Sequence, residues 1–141
     1  MLKHSKQREA IKAFLATRTD HPTADTVYMN IREEFPNISL GTVYRNLSLL
    51  ASIGEITKIS CGDNADHFDP NTHPHYHFLC KECGCVQDIP MEAMHSINSV
   101  ANENFDGIIE GHTVFFHGIC VDCQKEKINL QKALDNSESV C

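Results

Sequence analysis

The sequence predicts an α+β protein in which an N-terminal winged helix-turn-helix domain is followed by a small α/β domain. Two patterns predict this fold class. Three amphipathic helical segments and a hairpin pattern fill the first half, and short strand-like stretches surround a cysteine-rich turn in the second. The segment "PNTHPHYH" between them contains two prolines, which favour an extended connection. We therefore divide the 141 residues into a winged-helix domain (1–70), a hinge (71–77), an α/β domain (78–124) and a polar tail (125–141).

The helices of the first half are predicted from apolar residues at helical spacing. In "KQREAIKAFLAT" these are Ile11, Phe14 and Leu15. "HPTADTVYMNIREEF" has Thr23 as a helix cap, and "PNISLGTVYRNLSLLASIG" has Ser39 as a cap. Gly54 then ends the third helix, and "EITKIS" and "DHFD" flank the turn-rich "CGDNA" as a β-hairpin. Three helices and a hairpin in this order are typical of a winged helix-turn-helix.

The second half predicts a smaller mixed unit. "HFLC" and "CVQDIP" indicate strands around a turn, and Pro90 predicts the start of a helix through "MEAMHSINSVANENF". "GIIEGHTVFFHGIC" predicts a further strand region, and the end of the chain has a weak helical pattern that gives way to polar residues. The edges of so small a sheet need a cover, which favours pairing of two copies of the chain.

The charge is distributed unevenly. The net charge is −7, but residues 1–60 hold eight Lys/Arg against six acids, and residues 61–141 hold four against thirteen. The halves therefore carry +2 and −9, which indicates different roles for them. No apolar run approaches the roughly 20 residues that span a bilayer, and the first residues lack the pattern of a signal peptide. We expect a cytoplasmic protein that does not bind membranes.

The seven cysteines include two C-x-x-C pairs, Cys80/Cys83 and Cys120/Cys123. In a reducing compartment such pairs favour metal binding or thiol redox chemistry over disulfides, and no βαβ pattern supports a thioredoxin-like pair. Four thiolates complete a tetrahedral Zn²⁺ site, and a closed site of this kind is structural. Three cysteines are left over: we expect Cys85 to be a bystander, and Cys61 and Cys141 to be free thiols.

A second ligand set surrounds the hinge. His75 and His77 alternate and would lie on one side of a strand, with Asp69 before them and Asp88 after the cysteine turn. Imidazole and carboxylate together favour Fe²⁺, Mn²⁺ or Zn²⁺, although a lone histidine is more often a surface or core residue. On its own, His21 is interpreted as a residue that shapes the turn before Pro22.

The third helix has a polar side opposite its buried stripe, which carries Thr42, Tyr44, Arg45, Asn46 and Ser48. These side chains suit contacts with phosphates and base edges, although a solvated helix face has the same composition. The order of the helices and the following hairpin favour the DNA interpretation. Deaminase, zinc-peptidase and nucleophile-elbow motifs are missing from the sequence, so we expect no enzyme activity.

The motifs "HPTADTVY", "SLGTVYRNL", "DHFD…HPHYHFLCKECG" and "GICVDC" together resemble the Fur family of metal-dependent transcriptional repressors, from about Ser5 to Cys123. The resemblance implies a homodimer whose winged helices bind a palindromic operator in double-stranded DNA. It assigns the structural Zn²⁺ to Cys80, Cys83, Cys120 and Cys123. Our candidates for DNA contact are Ser39, Thr42, Tyr44, Arg45 and Asn46.

The resemblance also implies a regulatory Fe²⁺ or Mn²⁺ ion bound by His21, Asp69, His75, His77 and Asp88. Iron-uptake regulators of the family usually have Glu where Asp69 and Asp88 stand, and the peroxide-sensing branch has Asp at both. The chain therefore looks like a peroxide sensor in which bound iron promotes oxidation of His21 or His75. The alternative within the family is an iron- or zinc-uptake regulator that responds to metal level only.

Overall fold

The computed structural model describes residues 4–60 and 65–138, with side chains as far as residue 136. The chain forms two compact units, one ending at Pro74 and the other starting at His75, so the division falls within the segment assigned as the hinge. Cys61 and Cys141, which the sequence leaves as free thiols, lie outside the described residues.

The first unit has the predicted helix–helix–helix–hairpin order. Its elements are α1 (Lys6–Ala16), α2 (Ala24–Ile31), α3 (Leu40–Ser52), β1 (Thr57–Ile59) and β2 (His67–Asp69). The predicted ends of α3 are confirmed: the Ser39 hydroxyl accepts the N–H of Thr42 at 3.1 Å, and Gly54 has φ of 80°. A left-handed glycine lets the next N–H groups turn back to the last helical carbonyls, which ends the helix.

A single apolar core holds the first unit together. The predicted stripes of the three helices meet the inner face of the hairpin, and the buried side chains are Ile11, Leu15, Ala24, Val27, Ile31, Ile38, Val43, Leu47, Leu50, Ile56 and Phe68. Burial of each large member contributes roughly 1.5–3 kcal/mol. Because the apolar side of α3 faces this core, its polar side faces outward.

The second unit contains a three-stranded sheet with the order β4-β3-β5. Its elements are β3 (His77–Cys80), β4 (Val86–Asp88), α4 (Ser96–Glu103), β5 (Phe115–Gly118) and α5 (Val121–Glu138). Strand β3 pairs antiparallel with β4 and parallel with β5. The two strands predicted on either side of the cysteine turn are therefore confirmed, and β3 is the central strand of the sheet.

Helix α4 begins later than the sequence predicts. The expected start was Pro90, but the helix starts at Ser96. The buried Tyr76 explains the difference, because its carbonyl accepts the N–H of Ile89 at 3.0 Å and its hydroxyl accepts the N–H of Met94 at 2.7 Å. These contacts hold the connecting backbone against β3 in a non-helical path.

The last strand and the C-terminal segment also differ from expectation. Residues 107–114 are irregular, and the Asn102 side chain binds the backbone there: its amide oxygen accepts the N–H of Ile109 at 3.0 Å and its amide nitrogen donates to the Ile109 carbonyl at 3.5 Å. The weak helical pattern at the end of the chain forms helix α5, which extends to Glu138 and so covers most of the segment assigned as a polar tail. Strong helix formers in "QKEK" and "LQKAL" and an ion pair of 2.8 Å between Lys127 and Glu82 favour this helix.

Helices α4 and α5 bury none of their described side chains. Apolar groups of the second unit are instead exposed, among them Val100 (60%), Ile108 (86%) and Leu130 (66%). Scattered apolar side chains are normal on a surface, but several on one small unit indicate an interaction surface. Among the described helices, none has the length and apolar character needed to cross a membrane.

Candidate metal centres and nucleic-acid interface

The first cysteine pair lies in a tight turn between β3 and β4. Cys80 is the last residue of β3, and its N–H donates to the carbonyl of Cys85 at 3.0 Å. Its carbonyl accepts the N–H of Gly84, also at 3.0 Å. Gly84 has φ of 76°, a conformation that glycine adopts without strain. The turn therefore depends on the glycine that follows Cys83.

The second cysteine pair reaches this turn through the parallel pairing of β3 and β5. Cys80 lies opposite Gly118 in the register, and the N–H of Lys81 donates to the Gly118 carbonyl at 2.8 Å. Cys120 follows two residues later, and Cys123 lies in the first turn of α5. The parallel pairing therefore brings both cysteine pairs to the same end of the sheet.

The four sulfur atoms form one cluster. The Sγ atoms of Cys80, Cys83, Cys120 and Cys123 all lie within 4.8 Å of one another, and that of Cys83 is 3.8 Å from that of Cys120. A disulfide would bring two sulfurs to about 2.05 Å. A tetrahedron with Zn–S bonds of about 2.3 Å has an edge of about 3.8 Å. The donor set and its spacing therefore fit a four-coordinate Zn²⁺ ion.

The thiol pKa values of the cysteines in this region differ because their hydrogen bonds and burial differ. N–H groups of Cys83, Cys120 and Glu82 facing Cys80 lower the pKa of its thiol to about 6, although burial opposes the change. Burial and the neighbouring sulfurs raise the pKa of Cys85 to about 12. The pKa of Cys123 is raised by hydrogen bonding to the Cys120 sulfur. Crowded thiolates repel one another, and a divalent cation removes this cost.

Two of the predicted regulatory ligands lie in the first unit. His21 precedes α2, and its Nε2 lies 3.1 Å from Oδ2 of Asp69 at the end of β2. The N–H of Phe68 donates to the carbonyl of Pro22 at 3.0 Å, so the segment before α2 runs alongside β2. His21 also has φ of 53°, which supports its interpretation as a turn-shaping residue. His21 therefore shapes the turn before α2 and also places its imidazole beside the Asp69 carboxylate.

The other three predicted ligands lie in the second unit. His77 on β3 is opposite Asp88 on β4, and its Nε2 lies 3.4 Å from Asp88 Oδ1. Nε2 of His75 lies 3.0 Å from the same oxygen, and the two imidazole rings are 4.4 Å apart. Neighbouring ligands about 2.1 Å from an ion and at right angles are about 3.0 Å apart. The spacing and the N/O donors fit a borderline divalent cation.

A further histidine, His112, is held by hydrogen bonds. Its Nε2 lies 2.6 Å from the Tyr76 hydroxyl, and its Nδ1 lies 2.6 Å from Oδ1 of Asn98. The amide oxygen can only accept, so Nδ1 carries the proton and Nε2 accepts from Tyr76. Both ring nitrogens of His112 are therefore engaged by side chains of its own unit, and His112 belongs to neither group of potential metal ligands among the described residues.

The polar side of α3 divides into structural and outward-facing groups. Ser39 caps the helix, Thr42 bonds to Ser39 at 2.9 Å, and the Asn46 amide donates to the Thr42 carbonyl at 3.0 Å. Tyr44 and Arg45 are exposed, and the Arg45 guanidinium donates to the Thr42 hydroxyl at 3.0 Å. Ser39 is exposed as well, but its hydroxyl caps the helix, so Tyr44 and Arg45 are the two exposed residues of the five whose side chains extend beyond the cap.

Sequence reasoning missed two residues of the hairpin. Asp66 accepts a hydrogen bond from the Tyr44 hydroxyl at 3.0 Å. Nδ1 of His67 donates to the carbonyl of His21 at 2.6 Å. The alternation of strand residues could have found His67, because it places His67 and Asp69 on the same side of β2.

The sequence profile described as the Ferric uptake regulator family matches residues 1–117. This match covers most of the chain. The chain belongs to that family.

Known ferric uptake regulator family proteins are similar to this chain in sequence and fold. The Peroxide-responsive repressor PerR of Staphylococcus aureus is 37% identical over 118 residues, which cover 84% of this chain and 80% of that protein. The Campylobacter jejuni peroxide stress regulator is 27% identical, with a TM-score of 0.70 over 83% of this chain and 88% of its own. The ferric uptake regulator Fur of Helicobacter pylori, described as having three functional metal binding sites, is 25% identical. Its TM-score is 0.72 over 87% of this chain and 83% of its own.

These similarities confirm the family and the fold class predicted from the sequence. They also agree with the potential metal ligands within each unit: His21 and Asp69 in the first, and the four cysteines with His75, His77 and Asp88 in the second. A ferric uptake regulator protein is a regulator rather than an enzyme, which supports the expectation drawn from the missing catalytic motifs.

Proposed function

We propose that this protein is a cytoplasmic, metal-dependent transcriptional repressor that binds DNA and responds to peroxide. The observation that carries the proposal is the 37% identity to a peroxide-responsive repressor in a chain whose candidate acidic ligands are both aspartates, Asp69 and Asp88. The spacing of His75 and His77 around Asp88 supports it, because these three residues offer ligand atoms within 4.8 Å of one another.

The cysteine cluster has a structural role in this proposal. Cys80, Cys83, Cys120 and Cys123 bind Zn²⁺ and leave no open coordination position. The ion links the β3–β4 turn to the start of α5. It thereby fixes the sheet strand on which His77 lies.

The regulatory ion, Fe²⁺ or Mn²⁺, is bound by both units together. His21 and Asp69 supply two ligands, and His75, His77 and Asp88 supply three. Because each unit holds only part of the set, an ion that needs all five favours one arrangement of the two units. That arrangement is the one competent to bind DNA, so the ion shifts the population toward it.

The peroxide response depends on which ion is present. A bound Fe²⁺ ion would catalyse the reduction of H₂O₂, which Mn²⁺ performs poorly. H₂O₂ would be the two-electron oxidant: one of its oxygen atoms would be inserted into a C–H bond of the His21 or His75 imidazole and the other would leave as water, and the oxidised ring would no longer bind metal. The DNA-competent arrangement is then no longer favoured, and the repressed genes are transcribed.

DNA recognition is assigned to the outward side of α3. Tyr44 and Arg45 contact base edges or phosphates, and the basic residues of the first unit supply salt-sensitive contacts. The exposed apolar groups of the second unit pack against a second copy of the chain. A two-fold dimer of this kind matches a palindromic operator, whose half-sites present the same sequence to each copy.

The proposal is tested by loading the protein with Fe²⁺ without oxygen and adding a small excess of H₂O₂. We expect peptides containing His21 or His75 to gain 16 Da, the mass of one oxygen atom, and DNA binding to fall in parallel. Protein loaded with Mn²⁺ should bind DNA and keep both peptides unmodified. His75→Ala should weaken regulatory metal binding, and His117→Ala, which removes an exposed histidine of the same unit, serves as the matched control.

Persistent DNA binding with unmodified peptides after peroxide would contradict the sensor function. The iron- or zinc-uptake regulator would then be the better description, with DNA binding that follows metal level alone. Absence of metal-dependent DNA binding would contradict the repressor function itself.

A further inference from the structure

Helix α3 and the β1–β2 hairpin are joined by a polar contact on their exposed side. The hydroxyl of Tyr44 on α3 donates to Oδ2 of Asp66, directly before β2, at 3.0 Å. The amino group of Lys58 on β1 lies 3.9 Å from the same oxygen. The Tyr44 ring packs edge-on against the fully buried Phe68, with centroids 6.5 Å apart. Tyr44 is therefore positioned by an apolar contact along its ring and by a carboxylate at its tip.

The direction of this hydrogen bond is fixed by chemistry. An ionised carboxylate can only accept hydrogen bonds, so the proton between the two oxygens belongs to Tyr44. The contact with Asp66 raises the pKa of the Tyr44 phenol, and the hydroxyl keeps its proton at neutral pH. A phenol has a single proton. When that proton is engaged in the hydrogen bond to Asp66, the phenolic oxygen can only accept a hydrogen bond from another partner.

We propose that Asp66 is a positioning residue that makes Tyr44 an acceptor, so that Tyr44 selects an exocyclic amino group in the major groove. This inference rests on the proposed DNA-binding function. In that groove the donors are the N6 amino group of adenine and the N4 amino group of cytosine. The other polar groups there are acceptors: thymine O4, guanine O6, the purine N7 atoms and the phosphates. A tyrosine whose hydroxyl donates to Asp66 has no proton left to donate to them.

The position of the acid supports a role in selectivity rather than affinity. Asp66 places a negative charge on the side of the unit that would approach DNA phosphates, and Lys58 compensates it only at 3.9 Å. Such a charge lowers affinity for every duplex equally. Asp66 thus weakens binding to all sequences and fixes the direction of the Tyr44 hydroxyl proton. Such a residue is suited to discrimination between sequences.

The experiment selects sequences from a pool of randomised DNA duplexes. Protein loaded with Mn²⁺ is used as the wild type and as Tyr44→Phe, Asp66→Ala and Asp66→Asn variants. Both Asp66 variants remove the same charge, but only asparagine keeps an oxygen that can accept the Tyr44 proton. The pair therefore separates hydrogen-bond direction from electrostatics.

We expect the wild type and Asp66→Asn to enrich adenine or cytosine at one position of each half-site. Tyr44→Phe and Asp66→Ala should lose that preference, and Asp66→Ala should gain tolerance for thymine or guanine there. In the selected duplex, purine in place of adenine, or pyrimidin-2-one in place of cytosine, removes only the amino group. This change should weaken wild-type binding roughly tenfold, as expected for loss of a base-specific hydrogen bond, and leave Tyr44→Phe unaffected.

Several results would overturn the inference. One is the same sequence profile for Asp66→Ala and the wild type. Another is equal loss of preference in Asp66→Asn and Asp66→Ala, which would assign the effect to charge. Uniformly weaker binding of all sequences by Asp66→Ala would assign Asp66 a structural role. If the folded wild type with Mn²⁺ enriches no duplex at all, the proposed DNA-binding function fails and this inference fails with it.

Discussion

Replacement of Cys83 by serine should unfold the second unit and leave the first intact. Cys83 is one of four sulfur donors in the cysteine cluster, and it is exposed, so its replacement removes a ligand without creating a cavity. Serine is a poor ligand for Zn²⁺, which favours thiolate and imidazole. We therefore expect the variant to lose zinc to a mild chelator that leaves the wild type loaded.

The size of the effect follows from the unequal cores of the two units. Among the described residues, the buried hydrophobic side chains of the second unit are Tyr76, Cys80, Val86 and Cys120, and two of these are candidate ligands. Tyr76 and Val86 together contribute roughly 3–6 kcal/mol. A structural zinc site contributes about 10–16 kcal/mol in small domains. Loss of the ion therefore removes more stability than the two buried apolar side chains of this unit supply.

Hydrogen exchange measured by mass spectrometry on peptides reports each unit separately. In Cys83→Ser, the amides of β3, β4 and β5 should exchange at rates close to those of an unfolded chain, and those of α1 and α3 should stay protected. Cys85→Ser is the matched control. Cys85 is two residues away and lies outside the cluster. We expect it to keep one zinc per chain and to lose about 1 kcal/mol or less.

The reasoning is refuted if Cys83→Ser retains protected β3 amides after its zinc has been removed. It is also refuted if Cys85→Ser loses zinc as readily as Cys83→Ser does, because the cluster would then include a different set of sulfurs.

Three further predictions concern stability. Leu47→Ala, at a fully buried position of α3, should lower the free energy of unfolding of the first unit by about 2–5 kcal/mol, and Leu40→Ala, 41% exposed on the same helix, by less than about 1 kcal/mol in denaturant titrations. In Gly54→Ala the added Cβ meets no atom within 4 Å, but the residue must keep a φ of 80°. We therefore expect the free energy of unfolding to fall by about 1–2 kcal/mol with no change in the m-value. Tyr76→Phe keeps the buried ring and leaves the N–H of Met94 without its acceptor, which should speed exchange of that amide and destabilise the second unit by about 1–3 kcal/mol.

Local features of this protein could be predicted because their causes lie close together in the chain. Ser39 caps the start of α3 and Gly54 ends the helix, both through hydrogen bonds to residues within one or two turns. Their roles therefore follow from residue type and position. The C-x-x-C pairs indicated a zinc site because two thiolates three residues apart suit one ion. The assignment of Asp69 and Asp88 to one metal site came from the resemblance to a family, since their spacing in the sequence alone does not relate them.

Contacts between distant segments could not be predicted in this way. The late start of α4 depends on Tyr76, directly before β3, whose carbonyl accepts the N–H of Ile89 and whose hydroxyl accepts the N–H of Met94. Such contacts compete with local helix propensity, and the sequence does not disclose which of them forms.

The sequence by itself determined the helical order of the first unit, the cysteine pairs and the ligand types, because these depend on periodicity and residue chemistry. Only the tertiary structure decided which atoms meet. The parallel pairing of β3 with β5 brings Cys120 to the turn that holds Cys80, and the hairpin brings Asp66 to Tyr44. The physical reason is that strand pairing joins residues far apart in the chain, and its register is set by the packing of the whole unit.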